Sequence, residues 1–277
     1  GRTAVYIRKS LLVFQAAISI GLVTSILIFN SQLQALQEID TGFDTKSPII
    51  IAGVPNESIF TKSASSVSER INRIDGVTSS MPLDTQLTGN FLYSFELLFP
   101  NGSKTDSTIP AIGTGYQPVK NLGLNLLAGR EFDRKYASDW FQSNEDSAQA
   151  SIIITKSLAL SAGYNDLEDV IGQTFLRDGL SLLVVGVVDD IILGNNRTSY
   201  SQVLFICGFT LTTNTNVIVN VETGLSMSEH TKIINILQDI LANELGMFEP
   251  DITFVNDAIE SNLDSDKRVL TVVSLFG

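Results

Sequence analysis

The sequence has one cysteine, Cys207, and one histidine, His230. A lone cysteine excludes an internal disulfide and any CxxC redox or zinc motif. A lone histidine excludes multi-histidine metal sites and HExxH chemistry. Positive charge is scarce as well: 18 Lys and Arg face 30 Asp and Glu across 277 residues, a formal charge of −12. That balance argues against a nucleic-acid binder, which carries a basic patch. No GxxxxGK[ST] run is present, so there is no Walker A phosphate loop. Gly113-x-Gly115 lacks the third glycine and the strand-to-helix setting of a dinucleotide site. A Ser-His-Asp arrangement would need His230, which falls on a predicted helix just behind its cap and reads as a surface residue. Asp189-Asp190 is the best carboxylate pair, the group a glycosidase uses. Adjacent strand residues point to opposite faces, so these two read as turn residues at the end of a strand. Cys207, beside an apolar run, reads as a buried small hydrophobe. No catalytic, cofactor or metal residue is expected.

Hydrophobic residues make up 44% of the chain, so it is not disordered, and its length permits a substantial core. The strongest signal is at the start. Residues 10–37 carry no charge, and residues 11–29 are almost wholly apolar. Nineteen residues rising 1.5 Å each span roughly 28 Å, close to the hydrocarbon thickness of a bilayer. This predicts a transmembrane helix. Arg2, Arg8 and Lys9 precede it, and Glu38, Asp40 and Asp44 follow. Basic flanks stay in the cytoplasm, so the chain runs outward. The 240 residues after Gln37 hold 15 basic and 30 acidic groups, a charge of −15, and are expected outside. A cleaved signal peptide and a buried helix of a soluble protein stay open as other readings of the same run.

Ala17, Gly21 and Ser25 recur every four residues, a small-residue stripe on which another membrane helix can pack closely. Ile26, Phe29, Leu33 and Leu36 continue an apolar seam with steps of three and four, while Asn30, Gln32, Gln34 and Gln37 fill the other faces. The helix is expected to run on as a stalk packing on a partner helix, ended by Gly42. Residues 269–276 are again apolar and uncharged, and read as the first turns of a second membrane helix. The chain as a whole reads as a fragment of a longer polypeptide.

The outside region is predicted to be α+β. Residues 49–54 form a strand. Ser66-x-x-Glu69 is a capping box before a helix with Val67, Ile71 and Ile74 on one face, and Gly76 stops it. Residues 77–83 are the next strand. Residues 91–99, the turn Pro100-Asn101-Gly102 and residues 108–112 form a pairing hairpin. Residues 217–221 open a second strand-helix unit. Ser226-x-x-Glu229 caps its helix; Ile233, Ile236, Leu237, Ile240 and Leu241 form one face; Gly246 ends it; residues 252–255 close the unit. Neither unit buries its face alone, so the two are expected to pack as one layer. Between them, residues 113–213 read as short strands. These are 151–154, 175–177 and 180–188 around the hairpin Asp178-Gly179, and 203–206 after a turn at Asn195-Asn196. Thr155 is expected to cap a short helix ended by Gly163. Together they predict a small barrel or sandwich, with residues 138–149 as an exposed acidic loop. Asn56, Asn101 and Asn196 head formal glycosylation sequons of little weight.

Five stretches resemble the MacB/FtsX-like family of bacterial ABC transporter permeases. Arg8-Lys-Ser-Leu-Leu-Val-Phe-Gln-Ala-Ala-Ile-Ser-Ile20 is similar to the start of a membrane helix there, and Ser31 to Phe43 to the stalk and its Gly-Phe exit. Leu122-Gly-Leu-Asn-Leu-Leu-Ala-Gly-Arg-Glu-Phe132 resembles the "lGi-x-Ll-x-GR-x-F" segment. Ser151 to Ala159 with Ile171-Gly172 resembles "vviNe-x-a…iGk", with Thr155 in place of the usual Asn. Val184-Val-Gly-Val-Val-Asp-Asp190 is similar to "vvGVvkD". Each motif is weak alone; their common order across nearly the whole chain is what carries the resemblance.

The resemblance implies a bacterial inner-membrane permease with most of this chain in the periplasm. Residues 1–9 would be a cytoplasmic flank and 10–46 the membrane helix and stalk. Residues 47–112 and 214–257 would be a porter-like subdomain, and 113–213 an inserted β-rich subdomain. Residues 258–277 would return toward the membrane. It further implies a cytoplasmic ABC ATP-binding protein that hydrolyses the ATP, a homodimer or heterodimer of permeases, and a periplasmic adaptor or cargo. The motif residues are structural in that family, so none is catalytic and no cofactor is implied. The rival class is a receptor with an extracytoplasmic sensor domain, which has the same topology.

Overall fold

The computed structural model describes residues 2–37, 42–43, 49–59, 66–85, 93–144, 147–191, 193–195, 198–255 and 257. Residues 41–258 form one compact unit, and helix α1 (Arg2–Gln37) belongs to another. The stretch Tyr6–Ser25 of α1 is long and apolar enough to cross a membrane. The predicted returning helix, residues 258–277, lies outside the described residues.

The compact unit begins with β1 (Ile49–Pro55), the short helices α2 (Asn56–Ile59) and α3 (Ser66–Ile71), and β2 (Val77–Leu83). Next come β3 (Tyr93–Phe95), β4 (Ile109–Thr114), α4 (Pro118–Leu122) and β5 (Leu126–Gly129). The middle of the chain supplies β6 (Gln142–Asn144), β7 (Ser147–Thr155), α5 (Lys156–Ser161), β8 (Thr174–Arg177) and β9 (Leu180–Val188). The hairpin β10 (Leu193–Asn195) and β11 (Thr198–Tyr200) precedes β12 (Leu204–Cys207). The chain closes with β13 (Asn214–Val221), α6 (Met227–Leu245) and β14 (Ile252–Phe254).

The ends of this unit interleave. The strand order is β14-β1-β13-β2, each neighbour antiparallel. β1 and β2 are therefore parallel to each other with β13 between them, and β13 and β14 are parallel with β1 between them. Helix α3 connects the first pair and α6 the second. Two strand-helix-strand units, split by one another's strands, make a ferredoxin-like layer. Its core joins Ile49, Ile51, Val217 and Val219 of the strands to Val67, Ile71, Ile233, Leu237, Ile240 and Leu241 of the helices. Helix α6 starts at Ser226 with a complete capping box: the Ser226 side chain accepts from Glu229 N–H, and the Glu229 carboxylate accepts from Ser226 N–H. Gly246 ends it in the left-handed conformation at φ 67.

The middle of the chain extends the same sheet. β2 meets β4 at the pair Leu83 and Thr114, and the order runs on as β4-β12-β7-β9-β5. Twelve strands thus form a single mixed sheet where the sequence predicted a separate small barrel or sandwich. The reason is β4. It continues past residue 112, so its far edge takes β12 in parallel register while its near edge holds β2 and β3. A second core, with Phe95, Phe99, Phe175, Ile152, Ile154 and Leu204 among its members, sits on this half. Consecutive residues Ile152, Ile153 and Ile154 are all fully buried, as for a strand covered on both faces. The hairpin at Asp178-Gly179 has both residues at positive φ, 44 and 86, the type I′ turn whose twist matches its strands. Residues 138–149 are not an exposed loop: Asp139 is fully buried, and β6 pairs with β7.

Candidate functional site

The motif residues lock one excursion of the chain, residues 130–141, against the sheet. Gly129, at φ 72, lies so close to β9 that a side chain would collide with the Val185 carbonyl. A side chain on Gly186 would collide with the Arg130 carbonyl. Both glycines exist for this close approach of β5 and β9. Arg130 then turns its guanidinium onto Asp139, with Nη1 to Oδ2 at 2.6 Å and Nη2 to Oδ1 at 2.9 Å. Asp139 Oδ2 also accepts from Asp133 N–H at 3.0 Å, and the Arg130 guanidinium lies 3.8 Å from the Tyr136 ring centre. Phe132 is fully buried beneath. Asp190 holds the start of α5: its carboxylate accepts from Ser157 N–H at 2.7 Å and Ser157 Oγ at 2.5 Å. Thr155 was the expected cap, but its hydroxyl makes no cap bond and instead pairs with the Val203 backbone. The remote carboxylate takes over its role.

A polar crevice of about 380 Å³ opens where β2 and α3 face α4 and this locked excursion. One wall is Ser68, Asn72 and residues 78–82; the other is Tyr116, Gln117, Lys120, Asn121, Asp133, Arg134 and Trp140. The Tyr116 and Trp140 rings lie 5.3 Å apart, tilted by 39°. Gly208, at φ 76, leaves room for the Trp140 ring, which any side chain there would strike. Arg134 stands 5.0 Å from the Tyr116 ring centre. Asp133 pairs with Lys135 at 3.3 Å, whereas neither Lys120 nor Arg134 forms an ion pair among the described residues. The crevice thus presents two cations without an ion pair among the described residues, beside Asp133 and with the Glu131 carboxylate accepting from Lys120 N–H at 3.2 Å.

Asp84 is buried, 2% exposed, at the joint between β2 and β4. Its N–H donates to the Gly113 carbonyl at 3.0 Å, and its Oδ1 accepts from Gly113 N–H at 2.6 Å. Its Oδ2 has no hydrogen-bond partner among the described residues, and neither do the hydroxyls of Thr85 and Thr114. Burial without a cation pushes its pKa from 3.8 to about 7, against the lowering effect of the Gly113 N–H. Burial likewise pushes the Cys207 thiol well up, so this cysteine is an inert core residue.

Ala17, Gly21 and Ser25 are exposed along one side of α1, and the Ser25 hydroxyl donates to the Gly21 carbonyl at 2.8 Å. Phe29, Leu33 and Leu36 belong to α1; their side chains lie outside the described residues. His230 sits on α6 with Nδ1 3.0 Å from the Ser226 carbonyl oxygen, away from the crevice. No cluster of His, Cys, Asp or Glu fit for a metal occurs among the described residues. Sequence reasoning missed Asp84 and the crevice. The one signal within reach was the single tryptophan five positions after a basic pair, Arg134-Lys135, in so acidic a chain.

The fold defines a class: a split, ferredoxin-like layer whose sheet continues into a β-rich half. It matches the crystal structure of the periplasmic region of MacB from Actinobacillus actinomycetemcomitans, with a TM-score of 0.53 and 17% identity, over 80% of this chain and 94% of that one. The extracellular domain of the noncanonic ABC-type transporter YknZ from Gram-positive bacteria also aligns, with a TM-score of 0.46 and 16% identity, over 72% of this chain and 95% of that one. No protein-family model matches the chain, and no curated protein matches it by sequence. The match in fold falls within the family that the sequence motifs resemble.

Proposed function

We propose that this chain is the outside region, with its leading membrane helix, of an ABC transporter permease of the MacB/FtsX-like kind. The observation that carries the reading is the likeness in fold to the MacB periplasmic region, which this chain covers almost entirely. The order of sequence motifs and the charge step across residues 10–37 support it. In this reading α1 crosses the cell membrane outward. Residues 47–112 and 214–257 act as the porter-like subdomain, 113–213 as the insert, and 258–277 as the return to the membrane. Ala17, Gly21 and Ser25 seat α1 against another membrane helix. Phe29, Leu33 and Leu36 pack the stalk on a partner helix. A separate ATP-binding subunit supplies the hydrolysis. The stalk of a permease dimer carries that motion outward, for export or for signalling to a periplasmic adaptor or cargo. The protein itself performs no bond chemistry.

Two measurements test the reading. A phosphatase reporter fused after residue 48 is active only outside the cytoplasm, so an inactive fusion overturns the topology. In the intact transporter, Leu33→Asp with Leu36→Asp is expected to leave ATP hydrolysis running while transport is lost. Transport that continues unchanged in the double variant refutes the stalk's role. A single span followed by a large cytosolic domain in the whole protein establishes the receptor class instead.

A further inference from the structure

We propose that the crevice binds an extended, acidic polypeptide segment of another protein, which adds as a strand to the free edge of β2. The inference stands on the crevice alone and not on the permease reading.

The first ground is the direction of the backbone. In an antiparallel pair, one residue points both its N–H and its carbonyl at its neighbour, and the next residue points both away. Met81 and Ser79 of β2 lie opposite Ile218 and Asn220 of β13. Pro82 turns its carbonyl to the other side, where it accepts from Gly115 N–H at 3.0 Å. Ser80, two residues back, therefore aims its N–H and carbonyl to that same side, which is the crevice. β4 pairs with β2 only at Leu83, and no described residue bonds to the Ser80 backbone there. An open strand edge of this kind is a template for one more strand.

The second ground is where that edge lies. It is recessed, with Ser68 and Asn72 on one side and Gln117 and Lys120 on the other. The recess, of about 380 Å³, is the space such a segment would occupy. On β2 this edge carries neither a lysine nor an inward charge, and of the usual guards only Pro82.

The third ground is charge. The region after Gln37 carries −15, yet Lys120 and Arg134 both line the crevice without an ion pair among the described residues, while Asp133 there pairs with Lys135. A partner strand with acidic side chains finds complementary charge there and a hydrogen-bond donor in the amide of Asn72. A second copy of this chain, acidic overall, is the poorer match.

The test uses the whole chain in lipid nanodiscs and a phage-displayed library of random octapeptides. Selected peptides are expected to be rich in Asp and Glu and in β-branched residues. Their synthetic forms should lose binding when alternate backbone nitrogens are methylated, and keep it when the intervening ones are. Lys120→Glu with Arg134→Glu should weaken binding at least tenfold with unchanged thermal stability. Failure to select any peptide, selection of basic or amphipathic helical peptides, indifference to methylation, or full affinity in the double variant each overturn the proposal. So does self-association of the chain that blocks the same face.

Discussion

Asp84 lets the energetics of the joint between β2 and β4 be measured. Replacing it by Asn keeps the size of the side chain and an oxygen for the Gly113 N–H, and removes the charge. The native carboxyl, at about 7 against 3.8 when exposed, holds its proton in the folded state over an interval where the unfolded chain has released it. Below 3.8 both states are protonated and the penalty vanishes. Above about 7 both are ionised and the penalty is complete. Stability therefore falls as pH rises between these values, by about 4 kcal/mol in total. Other carboxylates titrate too, so the informative quantity is the difference between Asp84→Asn and the parent at each pH. Urea unfolding of the whole chain in detergent micelles, followed by the fluorescence of Trp140, the sole tryptophan, measures it. The variant is expected to match the parent near pH 4 and to exceed it by about 4 kcal/mol at pH 8. A difference that stays constant from pH 4 to 8, or shrinks, refutes the claim that an unpaired buried carboxyl sits at this joint.

Three further predictions use the same unfolding assay. Arg130→Met leaves the Asp139 carboxylate buried without its cation, and should cost about 3–5 kcal/mol; a cost under about 1 kcal/mol contradicts the locking role given to the pair. Gly186→Ala drives a methyl group into the Arg130 carbonyl and should destabilise by about 1–3 kcal/mol, with loss of protection of the Arg130 amide in hydrogen exchange. Ser226→Ala removes one half of the capping box of α6 and should cost about 1 kcal/mol, seen as faster exchange at the Glu229 amide.

Local signals were legible where a residue's own chemistry decides its conformation. The capping box at Ser226, the left-handed stops at Gly76, Gly163 and Gly246, and the type I′ turn at Asp178-Gly179 all depend on neighbours in sequence. The apolar face of α6 followed from periodicity, because a half-buried helix must show its period. The stretch Tyr6–Ser25 that is long and apolar enough to cross a membrane overlaps the apolar run 11–29 read from the sequence. The cap of α5 was misassigned for the opposite reason. Thr155 has the right chemistry, yet Asp190, 33 residues from Ser157, reaches the helix first because β7 and β9 run side by side.

The sequence by itself determined the elements, the charge division across the first helix and the motifs that glycine and arginine carry. These are set by backbone sterics, hydrophobic period and solvation, which act over a few residues. Tertiary structure decided the rest. It merged the middle strands into one sheet through β4, buried Asp139 under Arg130, left Asp84 uncompensated, and opened a crevice between residues far apart in the chain. Each of these depends on which strands become neighbours. Neighbour choice rests on the total burial that the whole arrangement achieves, a quantity that no single stretch of sequence carries.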